Sequence, residues 1–125
     1  MHENEIAKIV VDCAFRVHKI LGPGLLESVY QAALAYELKK RGLLVVIEQA
    51  IPVVCQEIKL EVGFRADLIV ANKVIVEIKS IESLAPVHGK ILLTYLRLTD
   101  KKLGLLINFN VSLIKDAIKR VVDKV

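Results

Sequence analysis

Apolar residues recur at three- and four-residue spacing from the start of the chain: Ile6, Ile9, Val10, Cys13, Val17 and Ile20. That period predicts a helix over residues 3–20. The stretch LGPGLLES then interrupts it, since Gly22 and Gly24 relax the backbone and Pro23 bars the helix from continuing. A second helix is expected from about Leu25 to Arg41, closed by Gly42. From Leu44 the texture turns β-rich, in Leu44–Glu48, Ile51–Cys55, Ile58–Val62, Arg65–Val70 and Val74–Lys79. A third helix is expected over Pro86–Leu98, with its proline in the first turn. KLGLLINF reads as a short apolar strand. Residues 112–124 read as a last amphipathic helix through Leu113, Ile114, Ala117, Ile118 and Val121. Helices around strands buried on both faces make an α/β or α+β sandwich.

Charges interrupt this pattern in RADLIVANKVIVEIKS, residues 65–80. The two apolar runs flank Ala71-Asn72-Lys73 and read as a hairpin, yet Asp67 sits in the first strand and Glu77 and Lys79 in the second. Glu77 and Lys79 are two apart and share a strand face. Asp67 joins them only in one register. A three-residue loop sets Val70 against Val74 and Asp67 against Glu77, whereas a two-residue loop at Asn72-Lys73 sends Asp67 to the other face. Asn tolerates the left-handed backbone that the longer loop commonly needs, so the sequence permits it without dictating it. Facing carboxylates ~5 Å apart repel unless a cation joins them or one is protonated. Lys79 supplies part of that charge, and a hard divalent cation, Mg²⁺ or Mn²⁺, would supply more. Such an ion activates water for attack on a phosphodiester, with Lys79 orienting or deprotonating it. The ordinary alternative is an ion pair at a solvated sheet edge.

A third acid bears on this choice. Positions 27, 30, 31, 34 and 38 share one face of the second helix, occupied by Glu27, Tyr30, Gln31, Leu34 and Leu38. Leu26, Val29 and Ala33 make the other faces apolar too, so the helix is expected to be well buried. Glu27 there is a candidate third metal ligand, or simply a first-turn acid favoured by the helix dipole.

Composition narrows the classes. The 125 residues suit one domain over 1–125, with no internal repeat or linker. Mean hydropathy is +0.51, yet no apolar run approaches the ~18 residues of a membrane span, and MHENEIAKIV is not a signal peptide. A cytoplasmic protein without a membrane partner is expected, with Cys13 and Cys55 buried and reduced. The net charge of +4 is unevenly spread: residues 1–89 hold ten Lys/Arg against eleven Asp/Glu, and residues 90–125 eight against three. A basic segment beside an acidic cluster suits a phosphate-bearing polymer near a metal. Lys101, Lys102, Lys115, Lys119, Arg120 and Lys124 also read as ordinary solvated residues.

Gly24-Leu25-Leu26-Glu27-Ser28-Val29-Tyr30 matches the signature of the GxxExxY protein family, and ALAYELKKRGL, FRADLIV, VIVEIKS, YLRLT and GLLINF resemble its later blocks in order. The resemblance covers about residues 5–122 and places the chain near the PD-(D/E)xK nuclease-like superfamily. It implies a restriction-endonuclease-like αβββαβ core with a mixed central sheet. It also implies metal ligation by Asp67, Glu77 and Glu27, Lys79 as catalytic lysine, and His88, Tyr95 and Tyr30 as accessory candidates. Where the family carries a Gln four residues before the helical Tyr, this chain has Ile91. Its usual tyrosine near position 55 is replaced by Cys55. Three readings follow: a Mg²⁺- or Mn²⁺-dependent nuclease, a module of the same fold that binds nucleic acid or a protein without chemistry, and a scaffold that homodimerises. His88 also has a plain role at the start of the third helix, and His18 a structural or exposed one.

Overall fold

The computed structural model describes residues 1–123, with the side chains of 58–62 set aside; Lys124, the expected end of the last helix, lies outside the described residues. Two helices open the chain, α1 (Glu3–Leu21) and α2 (Glu27–Lys40). α1 buries Ile6, Val10, Cys13 and Val17 of the predicted stripe, while Ile9 is half-buried and Ile20 is exposed. Between the helices Gly22 and Gly24 take positive φ values of 69° and 97°. The Tyr30 hydroxyl locks this corner from inside, donating to the Gly22 carbonyl at 2.6 Å and accepting the Leu25 N–H at 3.1 Å. Its ring stacks on Phe109 with centroids 4.6 Å apart. α2 buries Tyr30, Leu34, Ala35 and Leu38. Leu26 and Val29, expected inside, are exposed. α2 forms part of an outer layer and so has only one broad face to bury.

The strands are β1 (Val45–Cys55), β2 (Ile58–Val70), β3 (Val74–Lys79), β4 (Leu103–Asn108) and β5 (Ile118–Val122), ordered β1-β2-β3-β4-β5. Only β3 and β4 run parallel, and α3 (Pro86–Thr99) makes the crossover between them. The expected breaks within 44–55 are irregularities rather than ends: Glu48 has φ 53°, and the register shifts between Ile51 and Val53, around Pro52. Such bulges bend a strand without stopping it. β3 pairs with β2 through Leu68, Ile69 and Val70, so most of the β1–β2 hairpin reaches past the sheet as an arm. Cys55 near its tip is exposed, contrary to the burial expected of it, while Cys13 is buried.

The last helix is a second correction. Residues Ile114–Ala117 form a single 3-10 turn and Ile118–Val122 an edge strand, antiparallel to β4 from Leu103↔Val122 to Ile107↔Ile118. β4 is buried at all six positions, so its outer edge needs a partner for its backbone groups. The β-branched Ile118, Val121 and Val122 suit that strand, and the helical spacing came from joining a turn to it.

The sheet divides two cores. Leu68, Val76, Ile78, Leu105 and Ile107 pack under α1 and α2; Ile69, Ile75 and Leu106 pack under Leu92 and Leu96 of α3. Among the described residues no helix is long and apolar enough to cross a membrane.

Candidate active site

The β2–β3 turn selects the longer loop. Val70 pairs with Val74, Ile69 with Ile75 and Leu68 with Val76, while Ala71 and Asn72 take left-handed φ values of 50° and 57°. The backbone pairing ends at Leu68↔Val76, one position short of Asp67 and Glu77. Side chains enter the hydrogen bonding there: the Asp67 N–H donates to Glu77 Oε1 at 3.2 Å, and the Ile78 N–H donates to Asp67 Oδ2 at 2.8 Å. Glu77 and Lys79 face α3 and line a cavity of about 80 Å³ with His88, Ile91, Leu92, Tyr95 and Leu106. The longer loop and the shared face of Glu77 and Lys79 are as the spacing predicts, and hydrogen bonds bring Asp67 to Glu77.

Burial governs the electrostatics. Glu77 is 9% exposed, and desolvation followed by the Asp67 charge pushes its pKa from 4.5 up to about 8. Asp67 is also raised, first by burial; the Ile78 N–H and Lys79 oppose the shift, and the Glu27 charge adds to it. Burial and mutual repulsion thus both favour a protonated carboxyl in the pair. Tyr95 shifts upward as well, through burial and then the charges of Glu77 and Asp67, which places its phenol beside the pair.

Glu27 approaches around the end of β3. Its Oε2 accepts the Ser80 N–H at 3.1 Å, and Ser80 Oγ donates to the Leu25 carbonyl at 2.6 Å. α2 is thereby tied to the residue following Lys79. Asn108, buried at the end of β4, holds the next residue by a fork: its Oδ1 accepts the Ile81 N–H at 3.1 Å and its Nδ2 donates to the Ile81 carbonyl at 2.9 Å. The Phe109 N–H takes the Lys79 carbonyl at 2.9 Å. Sequence reasoning missed Ser80 and Asn108. The signal was available for Asn108, a lone amide closing the apolar run LGLLIN.

The accessory candidates separate. His88 Nδ1 accepts the Ala85 N–H at 2.9 Å, its plain capping role, while the ring still lines the cavity. Tyr95 lies face to face with Phe64, centroids 3.6 Å apart and planes 6° apart. Ile91 stands at the rim, 41% exposed. Tyr30 is not brought to the cavity; it is fully buried at the corner that aims Glu27. His18 bonds the Val111 carbonyl at 2.7 Å.

Asp67 and Glu77 offer hard oxygen donors with one nearby ammonium, which fits Mg²⁺ or Mn²⁺. Among the described residues no three His, Cys, Asp or Glu side chains gather into a cage, Glu27 being held by Ser80. Mg²⁺ commonly takes one or two carboxylates and fills its remaining positions with water or phosphate oxygens, so two suffice. A larger cavity, about 430 Å³, lies along α1 between Lys8, Phe15 and Arg41. Its acid, Asp12, is spent on Arg41 at 2.5 Å, whereas the smaller cavity is lined by Glu77 and Lys79.

The family model of the PD-(D/E)XK nuclease superfamily matches residues 4–121. No curated protein and no solved structure gives a match.

Proposed function

The chain belongs to the PD-(D/E)XK nuclease superfamily, and from that membership we propose that it hydrolyses phosphodiester bonds of nucleic acid at Asp67, Glu77 and Lys79. The five-stranded mixed sheet with flanking helices fits a restriction-endonuclease-like fold. Residues 24–30 support the finer assignment to the GxxExxY proteins.

The observation that carries the reading is the Asp67–Glu77 pair, two carboxylates held together by hydrogen bonds in a mostly buried site. Mg²⁺ or Mn²⁺ bound by this pair would supply Lewis acidity, sharpening a water as nucleophile and offsetting charge at phosphorus. Lys79, on the same strand face, directs its ammonium toward the attacking water and the non-bridging phosphate oxygens. Glu27 fixes the turn after Lys79 through Ser80, and its charge adds to the demand for a cation. His88 and Tyr95 supply polar atoms on the α3 wall, with Tyr95 held in place by Phe64.

Ile91 favours a second reading, a module that binds nucleic acid or a protein without cutting, because an alkyl group occupies the rim of the cavity. Calorimetric titration with Mg²⁺ and Mn²⁺, followed by cleavage assays on DNA and RNA, separates the two. Wild type binds metal and cleaves, Lys79→Ala binds metal and does not cleave, and Asp67→Ala does neither. Absence of both metal binding and cleavage in wild type replaces the enzyme with the module.

A further inference from the structure

β5 carries Lys119 into register with the acidic pair. Glu77 pairs with Leu106 across β3–β4, and Leu106 pairs with Lys119 across β4–β5. The row Glu77, Leu106, Lys119 therefore crosses three strands on the α3 side of the sheet. Lys119 lies about 10 Å from Glu77 at ~4.8 Å per strand.

α3 crosses above this row and separates two hollows. His88, Ile91 and Tyr95 flank the acidic cavity, while Pro86, Gly89, Lys90 and Leu93 flank a groove of about 370 Å³ closed on its far side by β5. Gly89 makes room for Lys119: a Cβ there would stand 3.0 Å from Lys119 Nζ and 3.3 Å from its Cε. The ammonium is thus seated against α3, with Lys90 on the same groove. Among the described residues neither lysine has a carboxylate within ion-pair distance. Neighbouring cations are engaged elsewhere, Arg97 with Asp123 at 3.9 Å and Arg120 with Asn4 on α1. Two unpaired ammonium groups on one groove, in the last third of the chain that carries the basic excess, attract a polyanion.

We propose that the groove between α3 and β5 is a second phosphate site, where Lys90 and Lys119 hold the backbone of the nucleic acid about three nucleotides from the bond to be cut, at ~3.4 Å per nucleotide. The identity of the ligand rests on the nuclease reading above; the row and the groove do not.

The test is fluorescence anisotropy in EDTA, with labelled DNA of about sixteen nucleotides, single-stranded and duplex. The Lys90→Glu/Lys119→Glu protein should bind these oligonucleotides about tenfold or more weakly, with the salt slope reduced by about one to two. Thermal stability should be unchanged. Lys119→Arg should bind like wild type, and so should Lys8→Glu/Lys19→Glu on α1, an equal charge change away from the groove. Unchanged affinity and slope, an equal loss with the α1 variant, or a wild type that binds no DNA overturns the site. A lysine effect in a protein that never cleaves leaves the groove standing and removes the nuclease reading.

Discussion

Asp67 and Glu77 hold each other across the β2–β3 hairpin through the Asp67 N–H, which donates to Glu77 Oε1 at 3.2 Å, while Asp67 in turn accepts the Ile78 N–H at 2.8 Å. Each carboxylate thus has a backbone donor from the opposite strand, although the two repel when both are charged. The pair is a strained part of an otherwise apolar sheet, and its strain depends on pH and on cations.

The first consequence is a pH dependence of stability. The Glu77 carboxyl titrates at about 8 in the fold against 4.5 for the ordinary group, so the folded state binds the proton more tightly. A raised carboxyl contributes stability that is complete below the ordinary pKa and is lost as pH rises through the folded value. Metal-free protein should therefore lose on the order of 3 kcal/mol between about pH 5 and about pH 9. Asp67, also raised, acts in the same direction. Urea unfolding in EDTA measures the slope, which Glu77→Gln or added Mn²⁺ should flatten. A stability that rises over this window contradicts the assignment of the proton.

Asp67 variants separate repulsion from hydrogen bonding. Removing the charge relieves Glu77, which alone suggests a more stable metal-free protein. The Ile78 N–H complicates this, because Asp67→Ala leaves it without its acceptor at a cost of roughly 1–3 kcal/mol. Asp67→Asn keeps an acceptor. Asn should raise metal-free stability at pH 8 and Ala should not, and both should abolish the calorimetric metal signal. Equal stability in the two variants removes the hydrogen bond from the account.

How much was legible beforehand follows the range of the interactions. The spacing of Glu77 and Lys79 and the length of the 71–73 loop are local, and the structure shows both as expected. The α1 stripe and the glycine corner were local too. Errors came where distant partners decide: residues 118–122 are a strand because β4 needs an edge, and Cys55 is exposed because the β1–β2 arm outruns the sheet. Tyr30 could be aligned to a motif, but only its 2.6 Å bond to Gly22 reveals a brace.

Asn108 should matter beyond its size. Asn108→Ala strands both the N–H and the carbonyl of Ile81 in a part-buried setting, costing roughly 2–3 kcal/mol by urea unfolding. The loosened turn also carries Ser80, and with it Glu27. Cleavage should fall through kcat, with calorimetric metal affinity near wild type, because Asp67 and Glu77 lie on the paired strands. Asn108→Asp, which keeps the acceptor, should lose less in both respects. Wild-type kcat in Asn108→Ala would detach the turn from catalysis.

Ile91→Gln tests whether the site is merely impaired. Ile91 lines the rim of the acidic cavity one helical turn before Tyr95 and is 41% exposed, so a longer polar side chain can reach water without entering the core. Stability should change by less than about 0.5 kcal/mol. The amide can donate to a phosphate oxygen or orient the attacking water, and one hydrogen bond realised in the transition state is worth about 1–1.5 kcal/mol, or roughly tenfold in kcat. Lys79→Ala combined with Ile91→Gln should remain inactive, since the amide cannot replace the ammonium charge. A gain in the single variant alone places Ile91 beside the reacting phosphate. If instead the single variant cleaves no faster than wild type, the wall formed by His88 and Tyr95 already supplies what the reaction needs there.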